Sequence, residues 1–590
     1  MTLLGGVAPA TASGARPHKG SGSTPHEELR RAVSCQQLSG RCVGLAPLLP
    51  ASEESLDVDR PAAPTTAPDG SGAVCQTPGL PSPVQDDWCE RWMTKRGLGP
   101  HGVTEVPRAA ATSTDGSEVY VLAHAATSDP LGAGILAFDA ATGAWRRTIP
   151  VPYRFLGPQS EFFSYLLATG DDLLVVSGYV RVRVETPDGF TRQTNFLTVA
   201  YSPTGELRWW SRYEGPMSGR GADHGDWPGS LTISPDGAQV IVTGISTRPG
   251  DYQPHPWYRD LSVAPDEVAT ISYDTSTGSE RWLERFDTGD LEFTYGMTIG
   301  PRGDALYINT MSWEFESTVL AYGDLGHPEG PDLLWSHAED PSSFLAPVAI
   351  ASTSDGVVVG GYSLSNPSGT LDYGVVALDA HGKVRWRANH SNVYTILGTD
   401  YTSSDIPVAM ATDGDRIYVT GYAFEWDAAY AIGDPSPSII GSTVAFDVAS
   451  GALAWQRIYR FPGHRAHFPT SIHTAGGRVY VPAMDSECNF YVRDASYYCK
   501  STTINLVTLD IDASTGAVRR VARFNHARSV ALPALQPSLP TAPGFNIFGT
   551  SDLHPDTQQM TIAALLDSPC IDTCLPGARY RMGLISYDGS

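Results

Sequence analysis

An all-β fold of repeated four-stranded antiparallel units is what this 590-residue chain predicts, and three observations carry the prediction. A motif ending in Asp-x-x-x-Gly and then Trp, preceded by alternating apolar residues, recurs along the chain. A turn dipeptide followed by a β-branched strand precedes the copies. Finally, 59 Gly and 45 Pro make about 18% of the residues, turn-rich without reaching low complexity. At 41% hydrophobic and 10% aromatic, the composition supplies a large core and excludes a wholly disordered chain. The 40 Lys+Arg against 64 Asp+Glu leave a formal charge of −24, which excludes nucleic-acid binding through phosphate neutralisation.

The motif copies run in order. Ile135–Asp139 leads to Gly143 and Trp145, Leu197–Tyr201 to Gly205 and Trp209, and Ala269–Asp274 to Gly278 and Trp282. Val375–Asp379 leads to Gly382 and Trp386, and Val444–Asp447 to Gly451 and Trp455. Two copies are degenerate: Val319–Tyr322 reaches Trp335 through a longer insertion, and Leu506–Asp510 reaches Gly516 but has Arg520 where Trp is expected. The preceding turns are Asp115-Gly116, Asp236-Gly237, Asp355-Gly356, Asp413-Gly414 and Gly476-Gly477. Asp-Gly between alternating apolar runs is a hairpin signal, because both residues accept the positive φ of tight turns. Each unit is therefore a meander. Seven steps of about 64 residues separate Gly143 from Gly589, room for four strands and their loops.

Such units, repeated this often, predict a β-propeller. The last copy stops after Leu584–Ser590, with a third strand but no Trp-bearing fourth. Trp88-Cys89-Glu90-Arg91-Trp92-Met93 supplies that strand from the front of the chain, and it resembles Gly278–Leu283. The expected fold is an eight-bladed propeller of four-stranded antiparallel blades over residues 88–590, its ring closed by the N-terminal strand completing the C-terminal blade. The repeated Trp is expected to pack between neighbouring blades, and the repeated Asp to close its turn by side-chain hydrogen bonding.

These motifs resemble two related bacterial propeller repeats. Thr277-Gly278-Ser279-Glu280-Arg281-Trp282 is similar to the quinoprotein-like (PQQ-like) repeat. Leu197–Pro216, followed by Ser234-Pro235-Asp236-Gly237 and Val242-Thr243-Gly244, is similar to the extracytoplasmic SBBP-type repeat. The resemblance spans roughly residues 88–590 and implies the fold; propellers of this kind serve as dehydrogenases, scaffolds and binding proteins alike. Quinoprotein dehydrogenases of this fold hold their cofactor with a vicinal Cys-Cys disulfide and a calcium site. No Cys-Cys pair exists here, so PQQ is disfavoured and no cofactor is predicted.

Residues 1–12 read as a residual signal-like segment: Leu3–Ala10 is apolar and Ala10-Thr11-Ala12 resembles a cleavage site. Met1 sits directly against the apolar part, with no basic region, as at an internal start. Residues 13–87 are rich in Pro, Ser, Gly and Ala and read as a mostly disordered leader. The eight cysteines fall as near neighbours, Cys35 with Cys42, Cys75 with Cys89, Cys488 with Cys499 and Cys570 with Cys574, a set suited to disulfides in an oxidising compartment. A secreted, extracytoplasmic protein is expected. No segment approaches the ~18 apolar residues of a membrane span.

Candidate site residues come from the loops entering each innermost strand, where side chains that do not repeat would crowd the channel mouth. They are His101, Glu105, Glu161, Asp223, His224, Asp226, Glu292, Tyr295, Asp400, Tyr401, Asp405, His464 and His467. Converging carboxylates and imidazoles would form a negative funnel for a cation, a sugar or a basic peptide. Asp223-His224-Gly225-Asp226 and His464-x-x-His467 have ligand types that suit calcium or another divalent metal. No Gly-x-Ser-x-Gly elbow, His-Glu-x-x-His or phosphate-binding Gly-x-x-x-x-Gly-Lys-Ser/Thr motif occurs. The expected function is a monomeric, non-catalytic binding module for a small molecule, a carbohydrate or a protein. The alternative is an enzyme using the funnel, as a metal-assisted hydrolase or lyase or a divergent quinoprotein oxidoreductase.

Overall fold

Every regular element is a strand in the residues that the computed structural model describes: 90–96, 105–125, 133–151, 160–186, 189–217, 224–248, 253–254, 262–263, 266–287, 292–312, 316–327, 329–340, 346–363, 371–396, 399–402, 404–424, 439–459, 466–493, 496–526, 550–553, 560–567 and 580–587. All lie within one compact unit, Pro47–Ser590.

The strands form consecutive four-stranded antiparallel meanders, an arrangement consistent with a propeller. The first sheet comprises Glu105–Thr112, Glu118–Ala125, Ala133–Asp139 and Trp145–Val151. The second comprises Ser160–Gly170, Leu173–Thr186, Gly189–Tyr201 and Leu207–Tyr213; the third, His224–Ile233, Gln239–Thr247, Asp266–Asp274 and Glu280–Phe286. The fourth runs over Glu292–Ile299, Ala305–Ser312, Ser317–Gly323 and Asp332–Ala338, and the fifth over Ala346–Thr353, Gly356–Ser363, Asp372–Asp379 and Val384–His390. The sixth has Asp405–Thr412, Arg416–Phe424, Ile439–Asp447 and Leu453–Tyr459. In the seventh the innermost strand is broken into Ala466–Pro469 and His473–Ala475, ahead of Arg478–Arg493, Ser496–Asp512 and Val518–His526. In the last sheet Thr550–Leu553, Met560–Asp567 and Tyr580–Tyr587 are followed by Glu90–Arg96, whose Trp92 pairs with Ser586. Short parallel bridges join the second sheet to the third, at His224 with Gln193 and Gly225 with Thr194, and the sixth to the seventh, at Ile439 with Ala466.

Burial explains the pattern of residues. Middle strands such as Gln239–Thr247 and Gly356–Ser363 are buried along their whole length and read as near-continuous apolar and β-branched runs, because neighbouring sheets cover both faces. Cores form between consecutive sheets: Val175, Phe196 and Trp209 of the second pack with Val240, Ile271 and Tyr273 of the third, and Tyr418 and Trp455 of the sixth with Val479, Val507 and Leu509 of the seventh.

The repeated Trp and Gly meet across these junctions. Trp209 donates from Nε1 to Thr275 O at 2.6 Å, Trp335 to Ala380 O at 2.8 Å, Trp386 to Val448 O at 2.9 Å and Trp455 to Ala513 O at 2.9 Å, each in the following sheet. The motif glycine of that sheet lies against the indole. A Cβ on Gly278 or Gly516 would sit 2.5 Å from Trp209 or Trp455, and both glycines have φ near +69°. The motif Asp closes its own turn, as Asp274 Oδ1 does by accepting from the Ser276 and Thr277 amides.

One expectation is corrected here. Trp145 is not the first sheet's structural Trp: it pairs with Phe138 beside a bulge and is 41% exposed. It follows its glycine by two residues instead of four, so Arg147, opposite Ala137, takes the position that Trp282 holds opposite Ser272. Arg147 and the degenerate Arg520 fill the same place, and each meets a buried carboxylate, Glu118 and Asp510 respectively.

Candidate functional site

Five of the thirteen candidate residues share one structural position. Glu105, Asp226, Glu292, Asp405 and His467 each lie on an innermost strand two residues ahead of Pro107, Pro228, Thr294, Pro407 or Pro469. A β-bulge follows directly in the first four, at Arg108, Gly229, Tyr295 and Val408. These residues therefore do repeat, contrary to the expectation that selected them.

Where side chains are described, the shared position works as a clamp. Asp226, 4% exposed, accepts from the Gly215 amide at 2.8 Å and the Ser246 hydroxyl at 2.8 Å. Gly215 follows the outermost strand of the preceding sheet, and a Cβ there would lie 2.3 Å from Asp226 Oδ1. Asp405, fully buried, accepts from the Asn392 amide at 2.7 Å and from its Nδ2 at 2.8 Å, and Asn392 likewise follows the outermost strand of the sheet before. His467 is buried 5.7 Å from the ring of Tyr459, which ends the sixth sheet, and is registered opposite Asp485. These groups tie one sheet to the next.

Of the others, Tyr295 is the bulge residue of the fourth innermost strand and packs with Met311, Ala346 and Tyr362, burial pushing its phenol up to about 12. Glu161 stands half-exposed, 3.6 Å from Arg181 Nη1. The side chains of Glu105, His224, Glu292, Asp400 and Tyr401, like His101, Asp223 and His464 entirely, lie outside the described residues. So do the side chains of all eight cysteines and the whole of residues 1–89. Among the described residues no group of three or more His, Cys, Asp or Glu could hold a metal, and no helix is long and apolar enough to cross a membrane.

Two features escaped the sequence reading. The first is a carboxyl pair in the third sheet. Burial raises Asp226 to about 6; it also raises Asp266, which heads its strand opposite Thr247, to about 7, with the charge of Asp226 adding to the shift. The only sequence signal was the adjacent acids Asp266-Glu267 at a strand start.

The second is an arginine and aromatic wall where the first two innermost strands begin. Phe163 stacks on its cross-strand partner Tyr179 at 4.9 Å, Tyr165 approaches Tyr179 at 6.3 Å, and the Arg181 guanidinium lies 5.3 Å from the Phe163 ring centre. Tyr165, a bulge residue, donates to Pro228 O. Arg108, the bulge residue of the first sheet, is close enough for its charge to act on both Tyr179 and His124; burial lowers the pKa of Arg108 itself. Burial first and Arg108 second push His124 down to about 4, so it is neutral at pH 7, with Nε2 3.0 Å from Ser164 Oγ. The signal was the alternation Tyr179-Val-Arg181-Val-Arg183-Val-Glu185 in a 14-residue strand, which outruns its sheet.

No protein-family model and no curated protein matches the sequence. Solved structures do align with the chain. Quinohemoprotein alcohol dehydrogenase from Comamonas testosteroni is 12% identical, with a TM-score of 0.43 over 85% of this chain and 76% of that one. A europium-containing methanol dehydrogenase is 12% identical, with a TM-score of 0.42 over 85% and 93%. The periplasmic gluconolactonase of Pseudomonas aeruginosa is 15% identical, with a TM-score of 0.36 over 73% and 97%.

Proposed function

We propose that the chain is an extracytoplasmic eight-bladed β-propeller that binds a ligand, without transforming it, at the end where its innermost strands begin. The pairing of Glu90–Arg96 with Tyr580–Tyr587 supports a closed ring, as does the packing of Glu105–Thr112 against both Ser160–Gly170 and Thr550–Leu553. The signal-like start and the eight cysteines falling as near neighbours in sequence support export.

The observation that carries the binding reading is the wall of Arg108, Phe163, Tyr165, Tyr179 and Arg181. These large side chains stay partly exposed where the innermost strands begin, and aromatic rings beside a few fixed charges suit a ligand. A thermal-shift screen of the full chain against neutral and acidic sugars, amino acids, calcium and zinc tests it. A ligand that raises the melting temperature should lose that effect in both Tyr179→Ala and Arg181→Ala. A ligand indifferent to both substitutions refutes the location.

One observation favours the enzyme reading. Carboxyls held at about 6 and 7, as in Asp226 and Asp266, have the proton affinity a general acid needs near neutrality. Stoichiometric metal or a quinone absorption band in the purified chain would favour that reading.

A further inference from the structure

The second and third sheets share one exposed face beyond the wall. Paired residues lie on the same side of a sheet, as do alternate residues of a strand. Arg181 pairs with Thr194, Arg183 with Arg192 and Glu185 with Phe190, while Thr194 meets Gly225 across the junction. Trp227 follows Gly225 by two residues and folds its ring over it, since a Cβ on Gly225 would fall within 1.7 Å of the indole. Arg181, Arg183, Arg192, Phe190 and Trp227 therefore stand on one side. Phe190 is 49% exposed and Trp227 39%.

We propose that this face binds a short carboxylate-bearing oligosaccharide of the uronic acid type. The inference rests on the binding reading above and names its ligand class. Arg183 lies over Phe190 at 3.9 Å and Arg181 over Phe163 at 5.3 Å. A guanidinium stacked on a ring is held in place with its N–H edge turned outward, the geometry that takes a carboxylate by two parallel hydrogen bonds. Glu185 contacts Arg183 at 3.3 Å in a solvent-exposed pair, and Glu161 contacts Arg181 at 3.6 Å in a half-exposed one. Such pairs are worth at most ~1 kcal/mol, so they orient the guanidinium without outcompeting a ligand. Exposed Phe190 and Trp227 offer flat apolar surfaces for the C–H face of a pyranose. A chain at −24 repels a long polyanion, so a short acidic sugar fits where an extended one does not.

Isothermal titration of the full chain with trigalacturonate, its methyl ester and triglutamate tests the proposal. Trigalacturonate should bind, the methyl ester should bind about tenfold or more weakly for want of the carboxylates, and triglutamate should not bind. Arg183→Ala and Phe190→Ala, both at exposed positions, should each weaken trigalacturonate about tenfold while leaving the melting temperature unchanged. Equal affinity for the ester, equal binding of triglutamate, or indifference to both variants overturns the proposal. No binding of trigalacturonate, with another ligand still lost in Tyr179→Ala, overturns the sugar assignment and leaves the binding reading standing. If no ligand responds to Tyr179→Ala either, both fail.

Discussion

Gly278 and Gly237 provide a matched test of how consecutive sheets are joined. Both are turn glycines of the third sheet, with φ of +69° and +70°. Alanine at either must adopt the left-handed region, which disfavours an L residue by roughly 1–2 kcal/mol. They differ in surroundings. A Cβ on Gly237 meets nothing within 4 Å, whereas one on Gly278 lies 2.5 Å from Cδ2 and Cε3 of Trp209. The indole cannot retreat, being 1% exposed and held by its hydrogen bond to Thr275 O. Forcing a methyl group into such a contact adds about 1–3 kcal/mol. Gly237→Ala should therefore destabilise by about 1–2 kcal/mol and Gly278→Ala by about 2–5 kcal/mol. Urea midpoints, with the slope checked for constancy, give the comparison. Equal losses in the two variants would refute the account, because the strain is common to both and only the junction distinguishes them.

Three further tests follow from buried ionisable groups. Asp226 and Asp266 are raised to about 6 and 7, so the folded chain holds protons that the unfolded chain, near 4, has shed; their contribution is full below pH 4 and is lost as pH rises through 6 to 7. Asp266→Asn should thus raise the urea midpoint at pH 8 and change it little at pH 4; no gain at pH 8 would contradict the assignment. His124, lowered to about 4, has the opposite sign: its contribution is present above pH 6.5 and lost as pH falls through 4, so His124→Gln should flatten the acid side of the stability profile. At the seventh sheet, Arg520 Nε and Arg478 Nη1 reach the fully buried Asp510 at 2.6 and 3.3 Å. Arg520→Ala removes one of these two partners and should destabilise by about 1.5–3 kcal/mol in the same urea assay, and Arg520→Ala combined with Arg478→Ala should cost more than either alone.

The scaffold was legible because its signals are local. Asp-Gly turns mark hairpins wherever they occur, and the fixed step from Asp to Gly to Trp sets the register of each outermost strand. Trp145 misled because an indole two residues after its glycine looks like one four residues after it until pairing is counted. The site was less legible for a different reason. Asp226 and Asp405 look like free carboxylates in sequence, and only Gly215 and Asn392, brought in from the preceding sheet, reveal them as clamps. Arg108, His124, Ser164 and Tyr179 come from two sheets, and no spacing rule links them.

Partner burial separates scaffold arginines from site arginines. On the outermost strands, charged residues discourage pairing at an open sheet edge, and here they also reach inward. Arg147 meets Glu118, Arg387 meets Glu339 and Arg520 meets Asp510, carboxylates only 8%, 3% and 0% exposed. Removing such an arginine takes a partner from a charge held in the interior, so its role is structural. Arg181 and Arg183 lie instead on the extension of a second strand, beside Glu161 and Glu185, which are 39% and 73% exposed. Water already solvates those carboxylates, so the fold gains little from the pairs, and stability does not account for two guanidinium groups stacked on rings there. A ligand carboxylate that displaced either glutamate would return it to water at little cost and keep the stacked geometry intact.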